Sequence, residues 1–313
     1  MNLPHCILCS STKKRNLYTI NKYTVVSCDN CSLIFIVPWP SKKELEKLYG
    51  NYTFETGFLM EHLIRTDAKR TLKIIKKLGY KNSALLDIGC GAGFLLDEAR
   101  KNGFDTIGVD TGKVAIDYAK KELKLNVMRK DFHEFTTKKK FQIITLIQVI
   151  EHITNPYPML NKTKSLLDTN GIVCIATPNI DSWLYRVLKK RFNYLIPPEH
   201  VIYYSPKTLK LLLEKVGFTV IKTITYGYPE DVGAIYRFLR ERSKLERKQI
   251  LHKNPKTVSK EVLNKNNIKL LKLKQFKHYL FEDVIRNLAY PLLNLGLNGS
   301  MIEIYAKKKE QQS

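Results

Sequence analysis

The chain has 313 residues, enough for one sizeable core with a smaller module or a long insertion beside it. No stretch reaches the roughly 18 uninterrupted apolar residues that a bilayer span requires, and the start Met1-Asn2-Leu3-Pro4-His5-Cys6 lacks the basic and apolar parts of a signal peptide, so a cytoplasmic protein is expected. The net charge of +24 suits a nucleic-acid or anionic-membrane partner, although abundant lysine, isoleucine and asparagine are also what an AT-rich coding sequence produces.

Residues 1–37 read as short strand-like pieces around paired cysteines, closed by Pro38 and Pro40. Cys6-x2-Cys9 and Cys28-x2-Cys31, with eighteen residues between the pairs, have the spacing of a four-cysteine zinc ribbon. With four protein thiolates on the ion, the expected Zn2+ is structural; the alternative is four free thiols in a reducing compartment. Residues 38–80 read as a helical linker. Ser41 caps a short helix through Tyr49, and Leu59, Leu63, Ala68, Leu72, Ile75 and Leu78 form the apolar stripe of a longer helix that Gly79 ends.

Residues 81–226, with 299–309, read as the core. Apolar runs at Ala84–Ile88, Thr106–Val109, Ile143–Val149 and Ile172–Ala176 alternate with helical segments such as Phe94–Lys101, which implies an α/β fold with a parallel sheet covered on both faces. Ser205 opens a helix that Gly217 ends, Phe218–Thr225 reads as a strand, and Met301–Ala306 reads as the closing strand. Between them, residues 227–298 form a basic helical insertion, with fifteen Lys and Arg against five Asp and Glu from Arg237 to Arg286. Such helices serve as a lid over a site, as a peripheral contact with the inner face of a membrane, or as a grip on phosphate; the lid ranks first. Cys90 and Cys174 read as packing residues.

The first core strand runs into Gly89-Cys90-Gly91-Ala92-Gly93. Glycines here let a nucleoside-bearing ligand sit against the backbone at the carboxyl end of the strand. A dinucleotide fold would need G-x-G-x-x-G, hence glycine in place of Phe94, so this spacing disfavours a pyrophosphate ligand. Asp87 precedes the turn, and Asp110 ends the second strand, where a carboxylate can accept both ribose hydroxyls. The alternative is an ordinary strand-to-helix turn.

From about residue 80 to 226, with the final strand, the chain resembles the class I S-adenosylmethionine-dependent methyltransferases. The resemblance implies a Rossmann-like seven-stranded methyltransferase sheet, preceded by the zinc ribbon and interrupted by the helical insertion before the last strand. It also implies that Asp87, Gly89, Gly91 and Gly93 cradle the methionine and ribose parts of the cofactor, that Asp110 takes the ribose, and that Asp131 and Phe132 contact the adenine. Gln148-Val149-Ile150-Glu151-His152 matches the family's x-V-L-E-H segment, which faces the transferable methyl group, with Gln148 in place of a common acidic residue. If the chain turns helical here, Gln148, Glu151 and His152 share a face on which relatives that methylate quinol precursors are thought to hold a divalent ion. The amide at 148 weakens that reading, and shaping of the cofactor's methionine end is preferred.

Glu199-His200-Val201-Ile202-Tyr203-Tyr204-Ser205 resembles the E-H-x-x-Y-x-S segment of zinc-containing sugar C-methyltransferases. That implies His200 as the base and Glu199 as its orienter, against the alternative that His200 merely packs. Pro197 stands where those enzymes carry a tyrosine, and their large second domain has no counterpart, which favours oxygen over carbon as the acceptor. The resulting expectation is an S-adenosylmethionine-dependent O-methyltransferase acting on a hydroxyl of a sugar, nucleotide sugar or surface glycan, with a lipid-linked glycan a suitable partner if the insertion lies on a membrane. Two other readings are an RNA methyltransferase, with nucleic acid gripped by ribbon and insertion, and a quinol-type small-molecule O-methyltransferase.

Overall fold

The computed structural model describes residues 5–41, 43–45, 48, 58–228, 231 and 296–309. The expected helix after Ser41 is described only in part, and the basic insertion, with its expected lid, membrane or phosphate role, lies almost wholly outside the described residues.

At the N-terminus, β1 (Lys14–Ile20), β2 (Tyr23–Cys28) and β3 (Ile34–Val37) pair antiparallel in sequence. Ile20 faces Tyr23 across a two-residue turn, and Asn21 takes the left-handed conformation, φ 54°, that such tight hairpins require. The two Cys-x2-Cys segments fold alike. Ser10 and Ser32, each four residues after the first cysteine of its pair, have φ 59° and 64° and donate their N–H to the Cys6 and Cys28 carbonyls. These matched knuckles direct all four thiols inward.

Helix α1 (Glu61–Lys77) buries Ala68, Thr71, Leu72 and Ile75, a stripe at helical spacing. The strands and helices then alternate: β4 (Ala84–Ile88), α2 (Phe94–Lys101), β5 (Asp105–Asp110), α3 (Lys113–Lys121), β6 (Val127–Arg129), β7 (Phe141–Ile147), α4 (Pro156–Leu166) and β8 (Leu167–Pro178). Helix α4 starts at Pro156, because the Asn155 side chain caps it and Pro156 fits its first turn. After β8 come α5 (Trp183–Leu188), the two-residue β9 (Ile202–Tyr203), α6 (Pro206–Val216), β10 (Phe218–Tyr226) and β11 (Met301–Lys308). Ser205 and Thr208 form a reciprocal cap on α6, and Gly217, φ 91°, ends it as expected.

A seven-stranded sheet has the order β10-β11-β8-β7-β4-β5-β6. Its β8-β7-β4-β5-β6 part is parallel and β11 runs antiparallel to β8. Because β7 and β8 are central and covered on both faces, they read as nearly continuous apolar runs. Leu72 and Ile75 of α1 join Leu85, Leu96, Ile143, Cys174 and Tyr305 in one core cluster, so the linker helix is part of the core packing. Cys90 and Cys174 are both buried there.

A second sheet has the order β1-β2-β3-β9. Its fourth strand comes from the segment that directly follows Glu199-His200, through Ile34 opposite Tyr203 and Phe35 opposite Ile202. Both sheets belong to one compact unit, whereas residues 182–192 and the described part of 225–300 form a second. Among the described residues, no helix is long and apolar enough to cross a membrane.

Candidate cofactor and acceptor site

The parallel strands all end on one edge of the sheet, and the glycine turn lies there between β4 and α2. Gly89, Gly91 and Gly93 have φ of 73°, 52° and 79°, a region that side-chain-bearing residues enter only at a cost. Two of the glycines also solve a packing problem. A Cβ on Gly89 would lie 2.5 Å from Val149 Cγ2, and one on Gly93 would lie 2.5 Å from Leu125 Cδ1. The expected clearance is therefore needed at these two positions by the protein's own side chains, and their absence lets the turn fold down over the end of β5, where Gly89 N–H donates to the Val109 carbonyl at 2.8 Å.

Asp110, at the end of β5, fastens this turn. One carboxylate oxygen accepts from Gly91 N–H at 2.9 Å and the other from Gly112 N–H at 2.7 Å. A carboxylate has about four lone-pair directions, so two remain for ribose hydroxyls. Asp87 is buried, and Thr145, its neighbour on β7, donates to it at 2.6 Å. Burial pushes its carboxyl up to about 7, aided by the nearby Asp110 charge. Thr145 is a site residue without a sequence signal, since only strand pairing makes it Asp87's partner. Asp131 is exposed and accepts from His133 N–H at 2.7 Å, while Phe132 is buried beneath the Lys162 ammonium, 5.1 Å from its ring centre.

Beyond the glycine turn, Gln148 follows β7 with φ 56°, an unusual conformation for a residue with a side chain. The next residues form a single 3-10 turn, Ile150–His152, rather than a helix starting at 148, so the shared helical face expected for Gln148, Glu151 and His152 does not form. A different trio does. Glu151 and His200 are buried, and the His152 and His200 rings meet edge to face with centres 4.8 Å apart.

Each imidazole is held by a main-chain carbonyl: His152 Nδ1 lies 2.8 Å from the Glu199 oxygen and His200 Nδ1 lies 2.9 Å from the Tyr194 oxygen. A carbonyl only accepts, so both Nδ1 atoms carry hydrogen and His200 presents Nε2 as its basic atom. The orientation expected from the Glu199 carboxylate thus comes from Tyr194 instead; Glu199 contributes its carbonyl, to His152. Thr177 Oγ1 donates to Glu151 Oε2 at 3.0 Å, whereas Oε1 is buried with no hydrogen-bond partner among the described residues. Burial raises the Glu151 carboxyl to about 8 and lowers His200 to about 3, the neighbouring His152 adding to the latter.

In the N-terminal cysteine cluster, Sγ atoms of Cys6 and Cys31 are 3.3 Å apart and those of Cys9 and Cys28 3.4 Å, with all four within 4.8 Å of one another.

The strand order, the glycine turn and Asp110 define a class I S-adenosylmethionine-dependent methyltransferase. The sequence model of the family described as a methyltransferase domain matches residues 60–223, and the chain belongs to that family. It is 27% identical over 190 residues to a ubiquinone biosynthesis O-methyltransferase of Bartonella tribocorum, covering 54% of this chain and 77% of the relative. Against the Pelagibacter ubique protein of the same name it is 31% identical over 173 residues, covering 54% and 68%. A solved S-adenosylmethionine-dependent methyltransferase from Archaeoglobus fulgidus aligns over 84% of this chain and 98% of its own, with TM-score 0.50 and 20% identity, a likeness of fold. The chain is therefore an S-adenosylmethionine-dependent methyltransferase.

Proposed function

We propose that the methyl acceptor is a hydroxyl oxygen of a small quinol-type aromatic molecule. The observation that carries a hydroxyl acceptor is the position of His200, which tertiary folding brings beside His152 and Glu151 after β7. The curated relatives, named as ubiquinone biosynthesis O-methyltransferases, favour the quinol-type acceptor over the sugar hydroxyl expected from the Glu199-His200 segment.

S-adenosylmethionine supplies a methyl group on a positively charged sulfur. Asp110 receives the ribose while holding the turn through Gly91 and Gly112, and Asp87, steadied by Thr145, supports the methionine end. Aligning the acceptor and removing its proton are the remaining tasks. His200 takes that proton at Nε2, its tautomer fixed by the Tyr194 carbonyl. The sugar reading keeps one point in its favour: β9, next to Glu199-His200, is built into the cysteine-ribbon sheet, so ribbon and acceptor segment form a single construction.

We also propose that Cys6, Cys9, Cys28 and Cys31 hold a structural Zn2+. Their sulfur separations suit a tetrahedral site, in which Zn–S distances of about 2.3 Å put sulfurs about 3.8 Å apart.

The test is transfer of labelled methyl to catechols and quinols in one series and to nucleotide sugars and glycans in another. Turnover confined to the aromatic series is expected, and turnover confined to sugars would refute the acceptor. His200→Ala should lower kcat by about 10²–10⁴-fold with S-adenosylmethionine binding by calorimetry unchanged; full activity in that variant removes His200 from the chemistry.

A further inference from the structure

We propose that Lys162 of α4 is a positioning residue for the adenine end of the cofactor, acting through the peptide unit between Phe132 and His133 to orient the Asp131 carboxylate. The proposal rests on the reading in which Asp131 and Phe132 receive the adenine, and the course of the chain supports that placement. Asp110 pairs with Arg129 across β5 and β6, and Lys130 N–H donates to the Asp110 carbonyl at 2.9 Å. Residue 131 therefore begins directly beside the residue that receives the ribose. The glycine turn, fastened to the Asp110 carboxylate through Gly91, lies on one flank of Asp110. A base carried by the same ribose extends over the other flank, which the segment after β6 forms.

That segment folds back on itself. Glu134 and Phe135 N–H both donate to the Asp131 carbonyl, at 3.0 and 3.1 Å, and in so tight a turn successive carbonyls point to one side. The Lys162 ammonium sits where two of them converge. It donates to the Phe132 carbonyl at 2.7 Å and to the His133 carbonyl at 2.8 Å, and it lies 5.1 Å from the centre of the Phe132 ring. Two of its three donors and its charge are thus spent on two successive residues of a segment 30 positions away in sequence.

Peptide planarity carries the effect onward. The Phe132 carbonyl and the His133 N–H belong to one trans peptide unit, so they are rigidly joined and point in opposite directions. Lys162 holds the carbonyl, while the N–H donates to Asp131 Oδ1 at 2.7 Å. Fixing the carbonyl fixes the N–H, and the N–H fixes the carboxylate. A cation on the carbonyl also polarises the unit and makes its N–H a stronger donor. With Oδ1 held in this way, Oδ2 is the oxygen that accepts from the exocyclic amine of adenine.

The test compares two bases on one cofactor skeleton by calorimetry with the full chain. S-adenosylhomocysteine offers the exocyclic amine, whereas S-inosylhomocysteine has a carbonyl oxygen there, which sets acceptor against acceptor at Asp131. The wild type should prefer the adenine form by about tenfold or more, as one charge-assisted hydrogen bond gives. Lys162→Met keeps an apolar stem and removes the ammonium. It should bind S-adenosylhomocysteine about tenfold more weakly, and its preference for adenine should fall to about twofold. Lys162→Arg restores a cation with several donors and should recover most of both losses. Folding is checked by circular dichroism; if the Met variant does not fold, Lys162→Gln, which keeps an uncharged donor, should show the same two losses in smaller measure.

The proposal is overturned if a folded Lys162→Met or Lys162→Gln protein binds S-adenosylhomocysteine as tightly as the wild type. It is also overturned if affinity falls while the preference for adenine stays whole, because a general loosening of α4 weakens both bases alike. Absence of any preference in the wild type overturns it without recourse to a variant. Asp131→Ala separates the two levels of the reading and should lose the preference outright. Preference lost there but kept in the Lys162 variants leaves the adenine site standing and removes Lys162 alone; preference kept in Asp131→Ala puts the adenine elsewhere and removes both.

Discussion

Asp87 shows how one buried residue ties pH to stability. Its folded carboxyl ionises at about 7, against a usual value of 3.8, because it is buried. The folded state therefore holds a proton that the unfolded chain has already released between those values, and Asp87's contribution to stability, full below pH 3.8, is lost as pH rises through 7. In urea titrations of cofactor-free protein, Asp87→Asn should lose less stability between pH 5 and 8 than the wild type; parallel losses would reject the assignment. Gly89 sets a steric limit of another kind. Gly89→Ala places a methyl group 2.5 Å from Val149 Cγ2 on a backbone with φ 73°, so an expense of about 1–3 kcal/mol and weaker S-adenosylmethionine binding are expected, measured by unfolding and calorimetry. The glycine spacing and Asp110 were legible in sequence because they are local to two strand ends. Thr145 was not, because it becomes Asp87's neighbour only when β4 and β7 pair.

Among the elements, α1 was legible as an amphipathic helix but not as part of the core. Its attachment depends on Arg65, whose guanidinium meets Glu61, Asp97 and Glu98 at 2.7, 2.8 and 2.8 Å and lies 5.0 Å from the Phe94 ring centre. Asp97 and Glu98 are buried at the start of α2, which the glycine turn introduces, so α1 braces the cofactor loop from behind. Arg65→Met leaves their charges short of a partner; because Asp97 retains Arg100 and Lys101, the loss should be about 1.5–3 kcal/mol by urea unfolding. Arg65→Lys should recover only part of it, since one ammonium cannot reproduce the planar fork. A stability unchanged in both variants would show that α1 is held by its apolar stripe alone. A second tie, from Arg70 to the buried Glu303 of β11 at 3.1 Å, links the same helix to the closing strand.

Across the whole molecule, the N-terminal cysteine sheet is joined to the segment that follows Glu199-His200. Beyond the β3–β9 pairing, Ile36 N–H donates to the Val201 carbonyl at 3.1 Å, and Tyr157 of α4 donates to the Ile7 carbonyl at 3.1 Å beside the first knuckle. If the four cysteines hold the proposed Zn2+, its removal should therefore loosen more than residues 6–37. After chelation, hydrogen exchange should quicken at residues 201–203 as well as at 6–37, and the melting temperature should fall. Exchange confined to residues 6–37 would show that the two parts are energetically separate. The Glu199-His200 motif was readable as a segment, but its burial, its main-chain partners and its meeting with Glu151 and His152 were not, because these follow from contacts across 48 residues of sequence.

Short-range chemistry was readable from the residues in order: the alternation that makes a parallel sheet, the left-handed glycine turn with Asp110 after it, the paired cysteine knuckles and the caps on α6. Each depends on residues a few positions apart or on a strand's own periodicity. Only the packed chain makes Thr145 the partner of Asp87, holds His200 by the Tyr194 carbonyl rather than the Glu199 carboxylate, and pairs the two-residue β9 with the N-terminal cysteine sheet. Burial and strand pairing are collective properties of the packed chain, and they set both the partners of a polar group and the charge it carries.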